Sequence, residues 1–547
     1  MTSVFTFIST LTLVRRFRWV YCQIETLRRC FPASIRLTLD ELPETLDGTY
    51  EQTLRMIDKQ KRDYAYRLFQ CLVVSKRPLR VEELAELFAI QPNVETIPTF
   101  DASLRPEDPK EFVLSACSTL VVVIKVNGEN IVQFSHFSVR EYLTSNRLAI
   151  SDHVSRFHIL LRPAHALLAT ACLSILLQLD LRIEEDSIRD FPLAPYAAQY
   201  WVDHAQFEDV SSDIQHGMEF LFDKNRPHLA AWLWLYNIEN PSDIPMATTH
   251  PVPPYAVPLY YAALCGFCDT AEHLVDIHPQ DVNARGGERM TPVHAALEKG
   301  HVIVAMLLLK RGADVGSRDS QSQTPMHIAS YRGYTEVISL LIDRGADLNA
   351  EGFNKETSLY LALKEGRQDV ARLLLEHKAD VNHPEIGGLT PLHHASLHGL
   401  KDIVQLLLER DADMNRRDNR SLTPLHHASM GGLNDIIQLL LDHGADANLP
   451  DNLGLAALHH ASLRGFNDTV QLLLDHGADA NLCDNRGWTA VHHASLRGFN
   501  DVVQSLLDRS PVTSRPENSV LTPLHLASLR GNNDIVQLLL SRRGALT

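Results

Sequence analysis

The sequence contains few cysteines, and their positions do not form the regular pattern of a disulfide framework. There are 8 among 547 residues, scattered from position 22 to position 483. Scattered cysteines are typical of a reducing compartment, so the sequence predicts a protein of the cytoplasm, or of the nucleus. Long apolar runs are missing too. The run at 4–14 has eleven residues, which is too short to span a bilayer, and it lacks the flanks of a secretory signal.

Motifs that carry catalytic chemistry are also missing. The phosphate-binding pattern GxxxxGK[ST], the nucleophile elbow GxSxG and the zinc-protease pattern HExxH do not occur. No nucleophile, base and orienting group stand at a usable spacing. The sequence therefore predicts a protein that is not an enzyme and that needs no cofactor and no metal.

The charge balance bears on the class of partner. Acidic residues outnumber basic ones, 67 to 51, which gives a formal net charge of −16. Chains that bind nucleic acid or anionic membranes normally carry an excess of basic residues. We therefore expect protein partners, with no nucleic acid and no membrane. The length favours three or four domains.

The dominant feature of the sequence is a repeat of 33 residues. The phrase Thr-Pro-Leu-His, with small changes, begins at 390, 423, 456, 489 and 522, and weaker copies begin at 291, 324 and 357. One more copy, Val-Pro-Leu-Tyr, begins at 257. A fixed period of this length is typical of a solenoid, so residues 257–547 are predicted to form about nine stacked units.

Each unit predicts two helices joined by a turn. In the unit that begins at Thr390, the threonine is suited to cap the start of a helix, and Pro391 is suited to the first turn of that helix. Gly399 is suited to end the helix. The next segment, residues 402–409, is too apolar for a helix with one exposed face, so it must pack against neighbours on several sides. The phrase Gly-Ala-Asp-x-Asn, as at 444–448, closes a unit before a loop of about seven residues.

These features resemble the ankyrin repeat, whose signature combines the 33-residue period with TPLH, an internal glycine and a closing GADxN. The resemblance covers residues 257–547 and implies a stack of helix pairs with a concave protein-binding face. It also implies that the histidine of each TPLH phrase is structural and bonds to its own threonine and to backbone. These histidines are His294, His327, His393, His426, His459, His492 and His525.

Four units carry a second histidine directly after the first, at 394, 427, 460 and 493. Ligands of one zinc ion lie about 2.0–2.1 Å from it, whereas packed helices are about 8–10 Å apart and equivalent side chains point the same way. We therefore interpret these four as packing residues. The motif Cys265-Gly266-Phe267-Cys268 is also interpreted as structural, because its glycine is in register with the glycines that end other first helices.

Departures from the repeat carry expectations about stability. Ala456 stands where other units have the capping threonine, and the lost cap should cost about 1 kcal/mol. Residues 510–520 have lost the closing motif. The last unit has no polar capping repeat, which a solenoid end normally carries. We therefore expect a frayed end, a partner at that end, or an incomplete gene product.

The region before the repeats predicts further domains. Residues 240–254 are rich in proline and typical of a linker. Residues 61–150 predict helices, then two apolar runs around Asn127-Gly128, the strongest short hairpin signal, and a closing helix at 138–145. This order indicates a winged helix. Residues 61–150 hold 11 basic and 11 acidic residues, a balance that favours protein contact over DNA.

A second resemblance covers residues 17–547. Residues 17–54, the motif SHFSVREYLTS at 135–145 and the segments 193–212 and 230–241 resemble the region after the nucleotide-binding domain in fungal NACHT–ankyrin proteins. These are NOD-like receptors of the STAND class, and the winged helix also resembles the one named after GPI inositol-deacylase. Because the phosphate-binding motif is missing, the chain is interpreted as the sensor half of such a receptor, with a nucleotide-binding protein as a partner in trans.

The sequence thus predicts a mainly α fold, with an ankyrin-repeat solenoid preceded by a winged-helix domain and a helical connector. The predicted boundaries are 1–60 for a helical segment like the end of a NACHT module, 61–150 for the winged helix, 151–239 for the connector, 240–256 for the linker and 257–547 for the repeats.

The function predicted from these features is recognition of a protein partner. In similar proteins the positions just before the glycine of each first helix lie on the concave face, and here several hold Arg beside Leu. Arginine suits carboxylate contacts, so we expect an acidic, partly apolar partner. The alternatives are a solvated face without a partner, a substrate adaptor for a larger enzyme complex, and a DNA-associated regulator. The predicted protein-binding residues are Arg332, His398, Arg464, Arg497, Arg530, Arg417, Arg486 and Trp488.

Overall fold

The computed structural model describes residues 45–91, 99–117, 119–242, 249–509 and 521–544. Most of these residues are helical. The chain divides into two compact units, Met1–Gly287 and Glu288–Thr547. Most of the predicted segment 1–60, the middle of the linker and the loop 510–520 lie outside the described residues.

The first unit contains all the described strands, followed by helices. Residues 92–98 lie outside the described residues. The elements are α1 (Leu46–Arg55), α2 (Arg62–Val74), β1 (Leu79–Arg80), α3 (Val81–Glu86), β2 (Ile90–Gln91), β3 (Thr99–Phe100), α4 (Pro109–Cys117), β4 (Val121–Val126), β5 (Glu129–Phe134), α5 (Phe137–Leu143), α6 (Asn146–Ala149), α7 (Leu161–Leu176), α8 (Ala194–Ala205), α9 (Val210–Asp213), α10 (Gln215–Leu221), α11 (His228–Leu235), α12 (Pro258–Cys265) and α13 (Cys268–Ile277).

A small antiparallel sheet carries the predicted hairpin. Strands β4 and β5 pair along their whole length, and Asn127 and Gly128 join them with positive φ angles of 50° and 91°. Two such residues form the turn whose twist matches paired strands, so the predicted hairpin is confirmed. The sheet has a third strand, β1, in the order β1-β5-β4. The sequence predicts a short extended segment between the two helices of residues 63–90, but not its pairing with β5, because two residues are too few for an alternating pattern.

An aromatic core lies among the helices of residues 161–277. Trp201 and Trp232 are fully buried with ring centroids 5.2 Å apart. Phe222 packs against both tryptophans, and Phe267 packs against Trp201 and Phe222. The Trp232 indole N–H donates to the carbonyl of Ala198 at 2.9 Å. Since Phe267 lies between α12 and α13, this first TPLH-like helix pair shares a core with the preceding helices. Gly266, between the two cysteines, has a φ of 78° and ends α12, as predicted.

The second unit is a row of helix pairs, eight of them within its described residues. First helices pack on first helices and second helices on second helices from each pair to the next. The first and second helices alternate as α14 (Pro292–Lys299), α15 (Val302–Lys310), α16 (Pro325–Arg332), α17 (Thr335–Asp343), α18 (Ser358–Lys364), α19 (Gln368–Glu376), α20 (Pro391–Leu397), α21 (Lys401–Leu408), α22 (Pro424–Gly431), α23 (Asn434–Asp442), α24 (Ala457–Arg464), α25 (Asn467–Asp475), α26 (Ala490–Arg497), α27 (Asn500–Arg509), α28 (Pro523–Arg530) and α29 (Asn533–Gly544).

The apolar second helices pack as the sequence predicts. In α21, Ile403, Val404, Leu407 and Leu408 are all buried, because this helix contacts its own first helix and the second helices on both sides. The closing asparagines add polar links between successive pairs. The side-chain oxygen of Asn448, for example, accepts the backbone N–H of Asp479 at 2.8 Å. Each pair is therefore held to its neighbours by apolar packing and by hydrogen bonds.

Candidate functional site

Six of the eight first helices described in the second unit begin with the same threonine–histidine cap. The other two are α18, where Tyr360 replaces the histidine, and α24, where Ala456 replaces the threonine. At Thr423 the backbone N–H donates to the Nδ1 of His426 at 3.0 Å, and the threonine hydroxyl lies 2.8 Å from the same nitrogen. The other ring nitrogen of His426 donates to the carbonyl of Leu455, in the loop before the next helix pair, at 3.1 Å. The structural role predicted for the TPLH histidines is therefore confirmed where these bonds are described. The cap fixes the start of the helix that presents the candidate binding residues.

One unit has only part of this cap. Ala456 still donates its backbone N–H to the Nδ1 of His459 at 3.1 Å, but alanine has no hydroxyl to make the second contact. The sequence predicts loss of the cap. The structure corrects this prediction in part, because the histidine still satisfies the Ala456 backbone N–H.

Restoring the hydroxyl should stabilise this unit. We expect Ala456→Thr to raise the free energy of unfolding by about 1 kcal/mol, the usual contribution of a helix-capping side chain. The measurement is urea denaturation followed by circular dichroism. Thr489→Ala, the reverse change in the next unit, is the matched control and should lower the stability by a similar amount. Loss of stability in Ala456→Thr would contradict the prediction.

Three of the four second histidines bond to a carboxylate that the sequence analysis does not identify. His427, His460 and His493 lie 3.3, 3.0 and 3.0 Å from Asp418, Asp451 and Asp484, each nine residues earlier. Burial lowers the pKa of all three histidines, and the aspartate opposes this shift. The signal for this pairing is an aspartate at the same distance before each histidine.

The same aspartates also hold the loop that precedes each first helix. In the unit of His460, one oxygen of Asp451 accepts the backbone N–H groups of Leu453 and Leu455, both at 2.8 Å, and the other oxygen faces the histidine. The interpretation of these histidines as buried packing residues is therefore correct but incomplete. They also fasten the loop to the first helix.

The arginines of the last three units form a row that we call the Leu–Arg row. It consists of the last two residues of α24, α26 and α28, three first helices that pack on one another in sequence. The three arginines are exposed. Within the part of the chain that the structure describes, none of them forms an ion pair. The leucines are half-buried, except Leu529, which is 72% exposed. The row is Leu463, Arg464, Leu496, Arg497, Leu529 and Arg530.

The equivalent positions of earlier units differ from this row. Arg332 forms an ion pair with Glu298 at 2.6 Å, so its charge is already partnered within the protein. His398 is exposed and stacks on His394. Arg464, Arg497 and Arg530 thus have no ion pair within the described residues, whereas Arg332 is paired with Glu298.

The predicted loop residues make local contacts. The Arg417 guanidinium donates to the carbonyl of Pro450, in the loop of the next unit. Arg486 is exposed, and its guanidinium lies 5.9 Å from the centre of the Trp488 ring, which in turn lies 5.4 Å from that of His493. Arg486 and Trp488 therefore form one pair, and Arg417 lies in a different loop. Arg515, a further arginine in a loop of the repeats, lies in the segment 510–520 outside the described residues.

The described ranges contain no group of three or more His, Cys, Asp or Glu side chains placed to hold a metal ion. In the same ranges no helix is long and apolar enough to cross a membrane. Within these ranges no disulfide bond involves Cys71, Cys172, Cys265, Cys268 or Cys483.

Comparisons with known proteins agree on the repeats. A family model described as "Ankyrin repeats (3 copies)" matches residues 259–352, 349–418, 412–484 and 464–546, together more than half of the chain. The azaphilone pigments biosynthesis cluster protein L of Monascus ruber is 30% identical over 294 residues, which cover 51% of this chain and 61% of that protein. This chain thus spans less than two thirds of that relative.

Two further similarities cover smaller parts of the chain. Alpha-latrocrustotoxin-Lt1a of Latrodectus tredecimguttatus is 44% identical over 57 residues, or 10% of this chain and 4% of the toxin. Among solved structures, the ankyrin repeat domain of Bcl-3, a member of the IkappaB protein family, is 29% identical and matches with a TM-score of 0.37. That match covers 40% of this chain and 99% of the Bcl-3 chain.

Proposed function

The chain belongs to the ankyrin-repeat family, and from this premise we propose that it is a non-enzymatic scaffold whose Leu–Arg row binds an acidic, partly apolar protein. The observation that carries the proposal is the set of three exposed arginines without ion pairs, each beside a leucine, on three consecutive first helices. A solenoid presents such equivalent positions along one continuous surface. A partner can therefore contact all three at once.

The chemistry of the row suits a carboxylate-bearing partner. Arginine presents a planar fork of donors that matches a carboxylate, and it is enriched where interfaces gain most of their energy. The neighbouring leucines offer apolar area that a partner can bury. Because the whole chain has a net charge of −16, a local basic row also orients an acidic partner toward this end of the repeats.

The same proposal includes the number of repeat units, the fold of residues 61–150, the type of signalling protein and the cell compartment. We infer nine ankyrin units, with the helix pair at 258–277 as the first, a winged helix in residues 61–150, and a role as the sensor half of a NOD-like receptor-type signalling protein. A nucleotide-binding protein would then act in trans. The cytoplasm is the expected compartment, with the nucleus as the alternative.

Two other functions remain testable beside this one. A substrate adaptor would use the first unit to dock a larger enzyme complex and the repeats to hold the substrate. A DNA-associated regulator would use residues 61–150. The equal numbers of acidic and basic residues there favour protein binding over DNA binding. DNA binding would be detected as a salt-dependent shift of duplex DNA.

The direct test reverses the charge of the row. The partner is first isolated with the full-length chain, and its affinity is then measured with purified proteins. We expect Arg464→Glu/Arg497→Glu/Arg530→Glu to weaken binding more than about 100-fold, because each arginine at such a surface contributes about 1 kcal/mol or more. The wild-type affinity should also fall as salt is added.

The control variant changes the net charge equally at another surface. Lys310→Glu/Lys378→Glu/Arg410→Glu alters residues at the ends of second helices and should leave the affinity within a few-fold of wild type. Both variants must first show wild-type helicity and melting. A partner that binds the row variant as tightly as wild type would disprove the role of the Leu–Arg row.

A further inference from the structure

His394 differs from the other three second histidines. Its side chain is buried, with 7% of its surface exposed, and neither ring nitrogen has a hydrogen-bond partner within the described residues. The cause lies nine residues earlier, where this unit has Glu385 in place of an aspartate. One oxygen of Glu385 accepts the backbone N–H of Leu389 at 3.2 Å, and no bond to the histidine is described. A buried polar side chain without a partner is costly and requires an explanation.

A second histidine stands one helical turn away. The backbone N–H of His398 donates to the carbonyl of His394 at 3.0 Å, so both residues lie on the same face. Their rings stack with centroids 5.7 Å apart and planes inclined by 23°. The His398 ring is exposed, and no partner for its nitrogens is described in residues 249–509. Two histidines four positions apart on one helix can bind a single zinc ion.

We propose that His394 and His398 together bind one divalent transition-metal ion of the zinc class, each through one ring nitrogen. Water molecules or a partner's side chain would complete the coordination, since the described residues place no third ligand beside the pair. The distance of about 8–10 Å between packed helices argues against a metal ion shared by histidines of different units. His394 and His398, in contrast, lie within one unit. The exposed His398 can rotate, and a shared ion would lie about 2.0–2.1 Å from one nitrogen of each ring.

The surroundings of the pair are compatible with a bound cation. The charge of Lys364, which acts on His394, is paired with Glu356 at 3.0 Å. The Tyr360 ring lies edge-on to His394, with centroids 4.4 Å apart. Burial, followed by the charge of His398, lowers the pKa of His394 to about 4. This imidazole is therefore neutral at pH 7, as a metal ligand must be.

The test titrates the full-length protein with Zn²⁺ by calorimetry, and with Mg²⁺ as a metal that avoids imidazole. The repeats themselves supply the variants. His398→Arg introduces the residue that three later units have at this position, and His394→Ile introduces the residue of the unit with Ile328. We expect either change to remove one bound Zn²⁺ or to weaken its binding at least tenfold. Mg²⁺ should not bind at this site in any variant.

His460→Ile is the matched control, because it removes a second histidine that already bonds to an aspartate. It leaves the same number of histidines as His394→Ile and should bind Zn²⁺ like wild type. Unchanged Zn²⁺ binding in His398→Arg would overturn the proposal, and so would an equal loss in His460→Ile. His398 is exposed, so its substitution decides the matter even if His394→Ile does not fold.

Discussion

At pH 5 the protein should unfold at a clearly lower urea concentration than at pH 7. Burial is the main cause that lowers the pKa of His327, His426 and His459 to about 4, against a usual value of 6.5. Above pH 6.5 neither the folded nor the unfolded chain holds protons on these side chains, so their contribution to stability is complete. Between pH 6.5 and 4 only the unfolded chain takes up protons, and stability falls by about 1.4 kcal/mol per pH unit for each histidine.

The hydrogen bonds explain why the folded protein resists protonation at these positions. The Nδ1 of His426 accepts the backbone N–H of Thr423, and its Nε2–H donates to the carbonyl of Leu455. A proton on Nδ1 would break the first bond and leave a charge in a buried site. The ring of His460, 5.6 Å from that of His426, disfavours a second charge nearby.

The measurement is a set of urea denaturation curves at pH 7, 6 and 5, followed by circular dichroism. The control variant is His426→Gln/His459→Gln, because the amide keeps a donor and an acceptor but does not titrate. We expect this variant to be less stable at pH 7 and to lose less stability between pH 7 and 5. A wild-type midpoint that is unchanged from pH 7 to pH 5 would contradict the prediction.

Among the glycines that end the first helices of the last three units, the one that ends α24 should be the least replaceable. Gly465 has a φ of +77°, and an added methyl group would lie 2.6 Å from ring atoms of Phe499. Gly465→Ala therefore combines a left-handed backbone, which costs about 1–2 kcal/mol, with overpacking, which costs about 1–3 kcal/mol. We expect a total loss of about 3 kcal/mol in the free energy of unfolding.

Gly531 is the matched control for this substitution. It ends α28 at the same position of its unit, with a φ of +71°, but no atom lies within 4 Å of the site where a methyl group would be added. Gly531→Ala should therefore cost only the backbone part, about 1–2 kcal/mol. Equal losses of stability in the two variants, measured by urea denaturation, would show that the Phe499 contact has no effect.

The repeat period makes most of the second unit predictable from its sequence. Threonine, proline and glycine at fixed positions determine where each first helix begins and ends, and this information is local. The hairpin at Asn127-Gly128 is predictable for the same reason. The pairing of the strand Leu79–Arg80 is not, because its partners Val132 and Ile131 lie about fifty residues later.

The candidate site is less predictable, because it depends on contacts between distant residues. The sequence places Arg332 and Arg464 in equivalent positions, but only the fold brings Glu298 of the preceding unit to Arg332. The second histidines show the same limit. Whether such a histidine has a partner depends on the loop nine residues earlier. Asp451 bonds both to the backbone of Leu455 and to His460, whereas the longer Glu385 bonds to the backbone of Leu389 and no bond to His394 is described. The predictions for residues 1–44 stay predictions.

The threonine–histidine cap also has a mechanical consequence. One ring of His426 holds both the start of its own helix and the loop of the following unit, at Leu455. The internal order of a unit and its attachment to the next one therefore break together. We therefore expect that units of 33 residues unfold one after another when the stack is pulled from its ends, so that the chain lengthens in steps. The threonine–histidine caps thus couple the unfolding of each capped unit to its separation from the next unit.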